Sequence, residues 1–219
     1  MSAVPSSTKP GYVTLEEYYR LDEASHQKLQ YSRGRVFPHG CSPYTYDPAV
    51  DMAGGSLDHG TISANIGRFV GNRLVGKPCR AWGSDLRISA GDRTRHYPDA
   101  SIICGTPEVD AGDKAGQTFT NPIVLFEVLS PSTMGYDLDD KFGHYRTIPT
   151  LCEYVLAHQD RPDVIVYVRQ TDDTWTFRAY TGLAAEVPLE SVGIVLPLTE
   201  IYDGITFDPP PTGLRESTP

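Results

Sequence analysis

Two short stretches decide the fold: Tyr97-Pro98-Asp99-Ala100-Ser101-Ile102-Ile103 and Pro122-Ile123-Val124-Leu125-Phe126-Glu127-Val128-Leu129. The second is an apolar run interrupted by one acid, the pattern of a strand buried on both faces. The first sets an acid directly after a proline, at the start of another apolar strand. An isolated ionised carboxylate in such surroundings is costly, so each acid needs a cationic partner or a metal. Two carboxylates on neighbouring strands would offer the hard oxygen donors that suit Mg²⁺ or Mn²⁺. The competing reading is an ordinary ion pair, with Glu127 meeting an arginine such as Arg87.

Outward from these strands, the periodicity alternates between helix and strand. Thr14 and Glu17 form a capping-box pattern ahead of Leu15, Tyr18, Tyr19 and Leu21, which predicts a first helix. Leu29 to Phe37 reads as two strands turning at Arg33-Gly34. Asp58 is placed to cap a second helix, in which Ile62, Ile66, Phe69, Val70 and Leu74 recur at helical spacing. Strands are expected at 79–88 and 95–104, a helix at 139–147, and strands at 151–157, 164–169 and 174–180, the last two as a C-terminal hairpin. The organisation expected is a flexible N-terminus at 1–12, one domain at 13–207 with an inserted loop at 38–55, and a Pro-rich tail at 208–219. The fold class is α/β, a single mixed sheet with helices packed on it.

Composition narrows the function. The chain has 219 residues, 39% hydrophobic and 21% charged, as an ordinary globular domain does. No run approaches the roughly 18 apolar residues of a membrane span, and the N-terminus lacks the apolar core of a secretion signal. A cytoplasmic protein with no membrane partner is the expectation. Cys41, Cys79, Cys104 and Cys152 are scattered, with no metal-ligand spacing, and are read as reduced thiols. A net charge of −9 argues against indiscriminate nucleic-acid binding. It is unevenly distributed, however: Arg68, Arg73, Lys77, Arg80, Arg87, Arg93 and Arg95 face only Asp85 and Asp92 over that stretch. This run reads either as a phosphate-facing surface or as solvated charge.

The ordered series of motifs goes further. Met52-Ala53-Gly54-Gly55-Ser56, His59, Gly83-Ser84-Asp85-Leu86-Arg87, Tyr97-Pro98-Asp99, Glu127-Val128-Leu129-Ser130-Pro131-Ser132-Thr133, Tyr136-Asp137, Lys141-Phe142, Tyr145-Arg146 and Glu153-Tyr154-Val155-Leu156 resemble the Uma2 family of restriction-endonuclease-like proteins, within the PD-(D/E)xK nuclease superfamily. The similarity runs from about Thr14 to Asp203. It implies a restriction-endonuclease-like core, a divalent metal and hydrolysis of DNA phosphodiesters, often by a homodimer acting on two strands.

On that resemblance Asp99, Glu127 and the Val128 carbonyl hold Mg²⁺, with Mn²⁺ as a substitute. The superfamily's lysine position, two residues after the glutamate, is Leu129 here. Lys141 is the replacement, unless it only forms an i,i+4 surface pair with Asp137. Gln30 stands where the family often has a glutamate, in Leu29-Gln30-Tyr31-Ser32-Arg33-Gly34-Arg35, and Arg35 replaces a later acid. Gln30, His59, Asp85 and Arg87 are assigned to substrate binding or to support of the metal ligands. The alternative function is a nuclease fold with a weakened site, kept as a nucleic-acid or protein-binding module.

Overall fold

The computed structural model describes residues 12–44, 56–131 and 133–207. Apart from Tyr12, the expected N-terminal segment lies outside these residues, as do positions 45–55 of the expected insertion and the tail at 208–219. Helix α1 (Leu15–Ala24) starts at the expected capping box, with the Thr14 hydroxyl and the Glu17 carboxylate each bonded to the other's backbone N–H. Its buried Tyr18 and Tyr19 pack against β1 (Leu29–Ser32). The chain then turns through Arg33 (φ 49°) and Gly34 (φ 89°) into β2 (Arg35–Pro38). Two consecutive left-handed residues make the tight turn that matches the twist of a hairpin.

Helix α2 (Leu57–Arg73) is capped by Ser56, not Asp58: the Ser56 hydroxyl accepts the His59 N–H at 3.1 Å. Asp58 sits inside the first turn, where its charge complements the helix dipole. Ile62, Ile66, Phe69 and Val70 form the buried stripe.

The two expected strands at 79–88 and 95–104 each divide. β3 (Cys79–Gly83) and β6 (Ala100–Cys104) belong to one sheet, while β4 (Arg87–Ser89) and β5 (Thr94–His96) belong to another. Pro98 explains the second division, since it has no N–H for the ladder and ends pairing there. Tyr97-Pro98-Asp99 is therefore the crossing from one sheet to the other. This is why an acid immediately after the proline emerges at a sheet edge rather than inside it.

The remaining strands are β7 (Thr118–Phe119), β8 (Pro122–Leu129), β9 (Glu153–His158), β10 (Asp163–Arg169), β11 (Trp175–Thr181), β12 (Glu186–Leu189) and β13 (Ile194–Pro197), followed by helix α4 (Leu198–Ile201). A π-helical turn, Tyr136–Lys141, runs directly into α3 (Phe142–Tyr145) where a helix at 139–147 is expected. The single mixed sheet of the sequence reading is corrected to a six-stranded sheet (β11-β10-β9-β8-β6-β3), a five-stranded sheet (β2-β1-β5-β4-β7) and the β12–β13 hairpin. The six-stranded sheet is mixed, β8 pairing parallel to β9 and antiparallel to β6. The expected β10–β11 hairpin forms its edge.

Alternation along β8 sorts the core. Val124, Phe126 and Val128 pack with α2, β12, β13 and α4 on one face. Leu125 and Leu129 pack with Tyr145, Ile148 and Tyr154 on the other. Glu127, between Leu125 and Leu129, is thereby committed to the second face. No helix of the described residues is long and apolar enough to cross a membrane. The expectation of four reduced thiols is corrected: Cys79 and Cys104 are directly opposed across β3 and β6 and form a disulfide, while the buried Cys41 and the half-buried Cys152 are not part of it.

Candidate active site

The N-terminal end of β6 and the C-terminal end of β8 meet at the same edge of the sheet, because the two strands are antiparallel with Ala100 opposite Phe126. One step further, the Asp99 carboxylate accepts the Val128 backbone N–H at 2.7 Å. The start of α2 and the π-helical turn close over this edge. Between them lies a cavity of about 490 Å³ lined by, among others, Gln30, His59, Asp99, Glu127, Val128, Asp137 and Lys141. The structure thus brings together the expected carboxylate pair, the expected lysine, and two of the four supporting residues.

Lys141 is the pivot. Its Nζ lies 3.0 Å from Glu127 Oε1 and 2.7 Å from Asp137 Oδ1, and all three side chains are buried. The two sequence readings of Lys141 are therefore both partly realised. It does pair with Asp137 across one turn, but inside the protein, and the same ammonium reaches Glu127. Although burial opposes its charge, Asp137 and Glu127 hold its pKa well above the ordinary lysine value. The π-helical turn matters here, since an i→i+5 insertion rotates the side chains that follow it and such turns recur at functional sites.

The two carboxylates differ in environment. Burial pushes the Glu127 carboxyl up to about 8, against the pull of Lys141 and with Asp137 and Asp99 adding to the rise. Its Oε1 also accepts the Tyr145 hydroxyl at 3.0 Å. Asp99 is buried too, but His59 and the Val128 N–H outweigh that burial and hold its pKa below the ordinary range. His59 Nε2 stands 3.4 Å from Asp99 Oδ2, an interaction that raises the imidazole pKa although burial works against it.

Two expected supporting residues are elsewhere. Asp85 is a surface residue, its side chain 95% exposed, paired with Lys28 at 2.6 Å. Its place on the turn after β3 lets it reach only the cavity rim, through Lys28. Arg87 is buried on the far side of Tyr97, ion-paired with Asp22 and with Asp113. Nor does Arg87 pair with Glu127, whose cation is Lys141. The arginine-rich run does not form one phosphate-facing surface. Arg68 pairs with Glu200, Lys77 donates to the Val192 and Gly193 carbonyls, and Arg95 is buried against Asp110 and Tyr19. The run passes from helix α2 through the turn after it into short strands of two different sheets, which sends these side chains in different directions.

Three contributors carry no assigned role in the sequence reading. Asp137 and Tyr145 flank Lys141 at i−4 and i+4, a spacing that could have signalled them. Lys28 supplies a second cation at the cavity rim, and nothing in its local sequence marks it.

A mixed sheet flanked by helices, with an aspartate at the start of one strand and a glutamate near the end of its neighbour, defines a restriction-endonuclease-like nuclease fold. The chain belongs to the Uma2 family, described as "Putative restriction endonuclease", whose model matches residues 15–199. Two uncharacterized proteins of Synechocystis are similar along most of their length. One is 31% identical over 93% of this chain and 97% of its own, the other 30% identical over 80% and 91%. The crystal structure of a "putative nuclease belonging to DUF820" from Anabaena variabilis superposes with a TM-score of 0.66, covering 86% of this chain and 97% of that one at 21% identity.

Proposed function

We propose that this protein is a metal-dependent nuclease that hydrolyses DNA phosphodiester bonds, with Asp99 and Glu127 as ligands to Mg²⁺ and Lys141 as the cation beside the reacting phosphate. The observation that carries this reading is the convergence of the two carboxylates and the lysine in one cavity at the edge of the sheet. Among the described residues, no cluster of three histidine, cysteine or acidic side chains converges as a protein cage for a metal. Two carboxylates with a main-chain carbonyl still fit Mg²⁺, which keeps several waters and is commonly held by one or two carboxylates plus substrate phosphate. They fit Zn²⁺ poorly, since it favours nitrogen and sulfur donors.

A bound divalent ion would supply an acidified water and neutralise charge on the phosphate. The chain's own part is orientation. The Val128 N–H and His59 fix Asp99 Oδ2, while Tyr145 and Lys141 both engage Glu127 Oε1 and leave its second oxygen without a protein partner among the described residues. Lys141, held between two acids, is a preorganised positive charge that needs no reorganisation as negative charge develops on phosphate. Two copies of the chain would bring two such cavities to the two strands of a duplex.

A second reading keeps the fold as a binding module without turnover, and the neutral Gln30 in the cavity favours it. One assay separates the two: incubation of purified protein with supercoiled plasmid and with single-stranded DNA, with and without Mg²⁺ or Mn²⁺. The nuclease reading expects metal-dependent cleavage that Asp99→Asn abolishes. DNA binding with no cleavage under any metal condition would select the binding module.

A further inference from the structure

Behind the carboxylates, Gln30 is almost completely buried yet lines the same cavity. Its Nε2 lies 3.5 Å from the Pro38 carbonyl and its Oε1 lies 3.2 Å from His96 Nδ1. A carbonyl oxygen only accepts, so the atom facing Pro38 must be the NH₂ of the amide. The oxygen then faces His96, and His96 must present an Nδ1–H to it. On the other side of the ring, His96 Nε2 meets His144 Nδ1 at 3.3 Å, with the two rings stacked at 20°. His96 is fully buried and neutral, so its Nε2 accepts from a His144 Nδ1–H. One backbone carbonyl therefore sets the direction of three side chains in series.

An amide NH₂ carries two donors, and Pro38 takes one. The second has no acceptor among the described residues. Lys141, a charged donor lining the same cavity, is already committed to Asp137 and Glu127. We propose that Gln30 is a substrate-binding residue whose free amide N–H donates to an anionic oxygen of the phosphodiester backbone, held in that orientation by His96 and His144. This rests on the nuclease reading and assigns Gln30 a donor's role rather than a metal ligand's. An amide turned the other way would offer its oxygen to the ion instead.

The test has two parts. Long-range ¹H–¹⁵N spectra of the histidine side chains report where each ring proton sits, and the expected result is a proton on His96 Nδ1. A bare Nδ1, with the proton on Nε2, would overturn the proposal. Fluorescence anisotropy with a labelled DNA duplex in Ca²⁺ measures binding without turnover. Gln30→Met is expected to raise the Kd about tenfold, the scale of one hydrogen bond to a charged acceptor, with Mn²⁺ affinity retained. Gln30→Glu, which keeps an oxygen toward His96 but puts a carboxylate against phosphate, should weaken binding further, and it carries the same test if Gln30→Met does not fold. An unchanged Kd in Gln30→Met, or tighter DNA binding in Gln30→Glu, would overturn the assignment of Gln30 alone. A wild-type chain that binds no DNA would overturn the nuclease reading and this proposal with it.

Discussion

Two buried clusters of opposite charges lie on either side of Tyr97, and they are built on different terms. Around Arg87, every carboxylate is answered by the protein itself. Asp113 accepts from the Ala115 and Gln117 backbone N–H groups as well as from Arg87, and Asp22 accepts from the Leu29 N–H and the Tyr97 hydroxyl. Burial raises the Asp113 pKa, yet Thr118 and Arg87 hold it below the ordinary value. Around Lys141, two carboxylates, Glu127 and Asp137, share one ammonium, and among the described residues Glu127 accepts only from Lys141 and the Tyr145 hydroxyl. There burial wins and the Glu127 carboxyl rises to about 8. The first cluster is complete as folded and serves stability. The second leaves Glu127 incompletely compensated and opens into a cavity, which is the condition under which a divalent cation is attracted.

The largest expected effects come from removing each cluster's cation. Arg87→Met and Lys141→Met each leave buried carboxylates unpaired and should each cost about 3–5 kcal/mol in urea denaturation of the metal-free protein. They should part company when Mn²⁺ is added. The stabilisation that Mn²⁺ confers should be larger in Lys141→Met than in the wild type, because the ion finds carboxylates without a competing ammonium, and unchanged in Arg87→Met. Equal increments in all three proteins would erase the distinction between the clusters.

Turnover sharpens the same contrast. With folding confirmed in excess Mn²⁺, Lys141→Met should slow single-turnover cleavage by roughly a hundredfold or more, the scale of a lost charge on developing phosphate. A wild-type rate would leave Lys141 a structural partner of Asp137 and Glu127.

A smaller effect follows from pH. In the metal-free folded chain Glu127 keeps its proton up to about 8, against an ordinary value of 4.5. The folded state therefore binds the extra proton between those values, and stability falls as pH rises through that window. Glu127→Gln should flatten this slope and leave the metal-free protein more stable than wild type above about pH 8. Thermal melts from pH 4 to 9 in chelator check it. A slope that persists in the variant would mean that other groups cause it.

How far the sequence foretells this arrangement differs from residue to residue. Asp99, Glu127 and Lys141 were legible because an acid in an apolar strand is anomalous and because the surrounding motifs have a fixed order. The helices α1 and α2 and the strand β8 were legible from capping and periodicity. The division into two sheets was not, since β4 and β5 are three residues each and too short to show a period. Only Pro98 hinted at the break. Arg87 and Asp85 were misplaced for the same reason: two positions apart, on a turn and on the strand after it, one side chain points to solvent and the other into the core. The Gln30–His96–His144 series joins three elements far apart in the chain, so local spacing carries no trace of it.

The smallest effect marks the edge of the site. Asp85→Asn removes an exposed pair with Lys28 and should cost about 0.5 kcal/mol with no change in Mn²⁺ affinity, read from a melt and a titration. A marked loss of metal binding would return Asp85 to the site.

The central claim is that the cavity cluster, and not the Arg87 cluster, holds a divalent metal. Isothermal titration calorimetry with Mn²⁺ on the wild type, Asp99→Asn, Glu127→Gln and Asp113→Asn tests it most directly, with circular dichroism confirming that each is folded. The account predicts binding to the wild type and to Asp113→Asn with the same affinity, and none to Asp99→Asn or Glu127→Gln. Wild-type affinity in both cavity variants would contradict it.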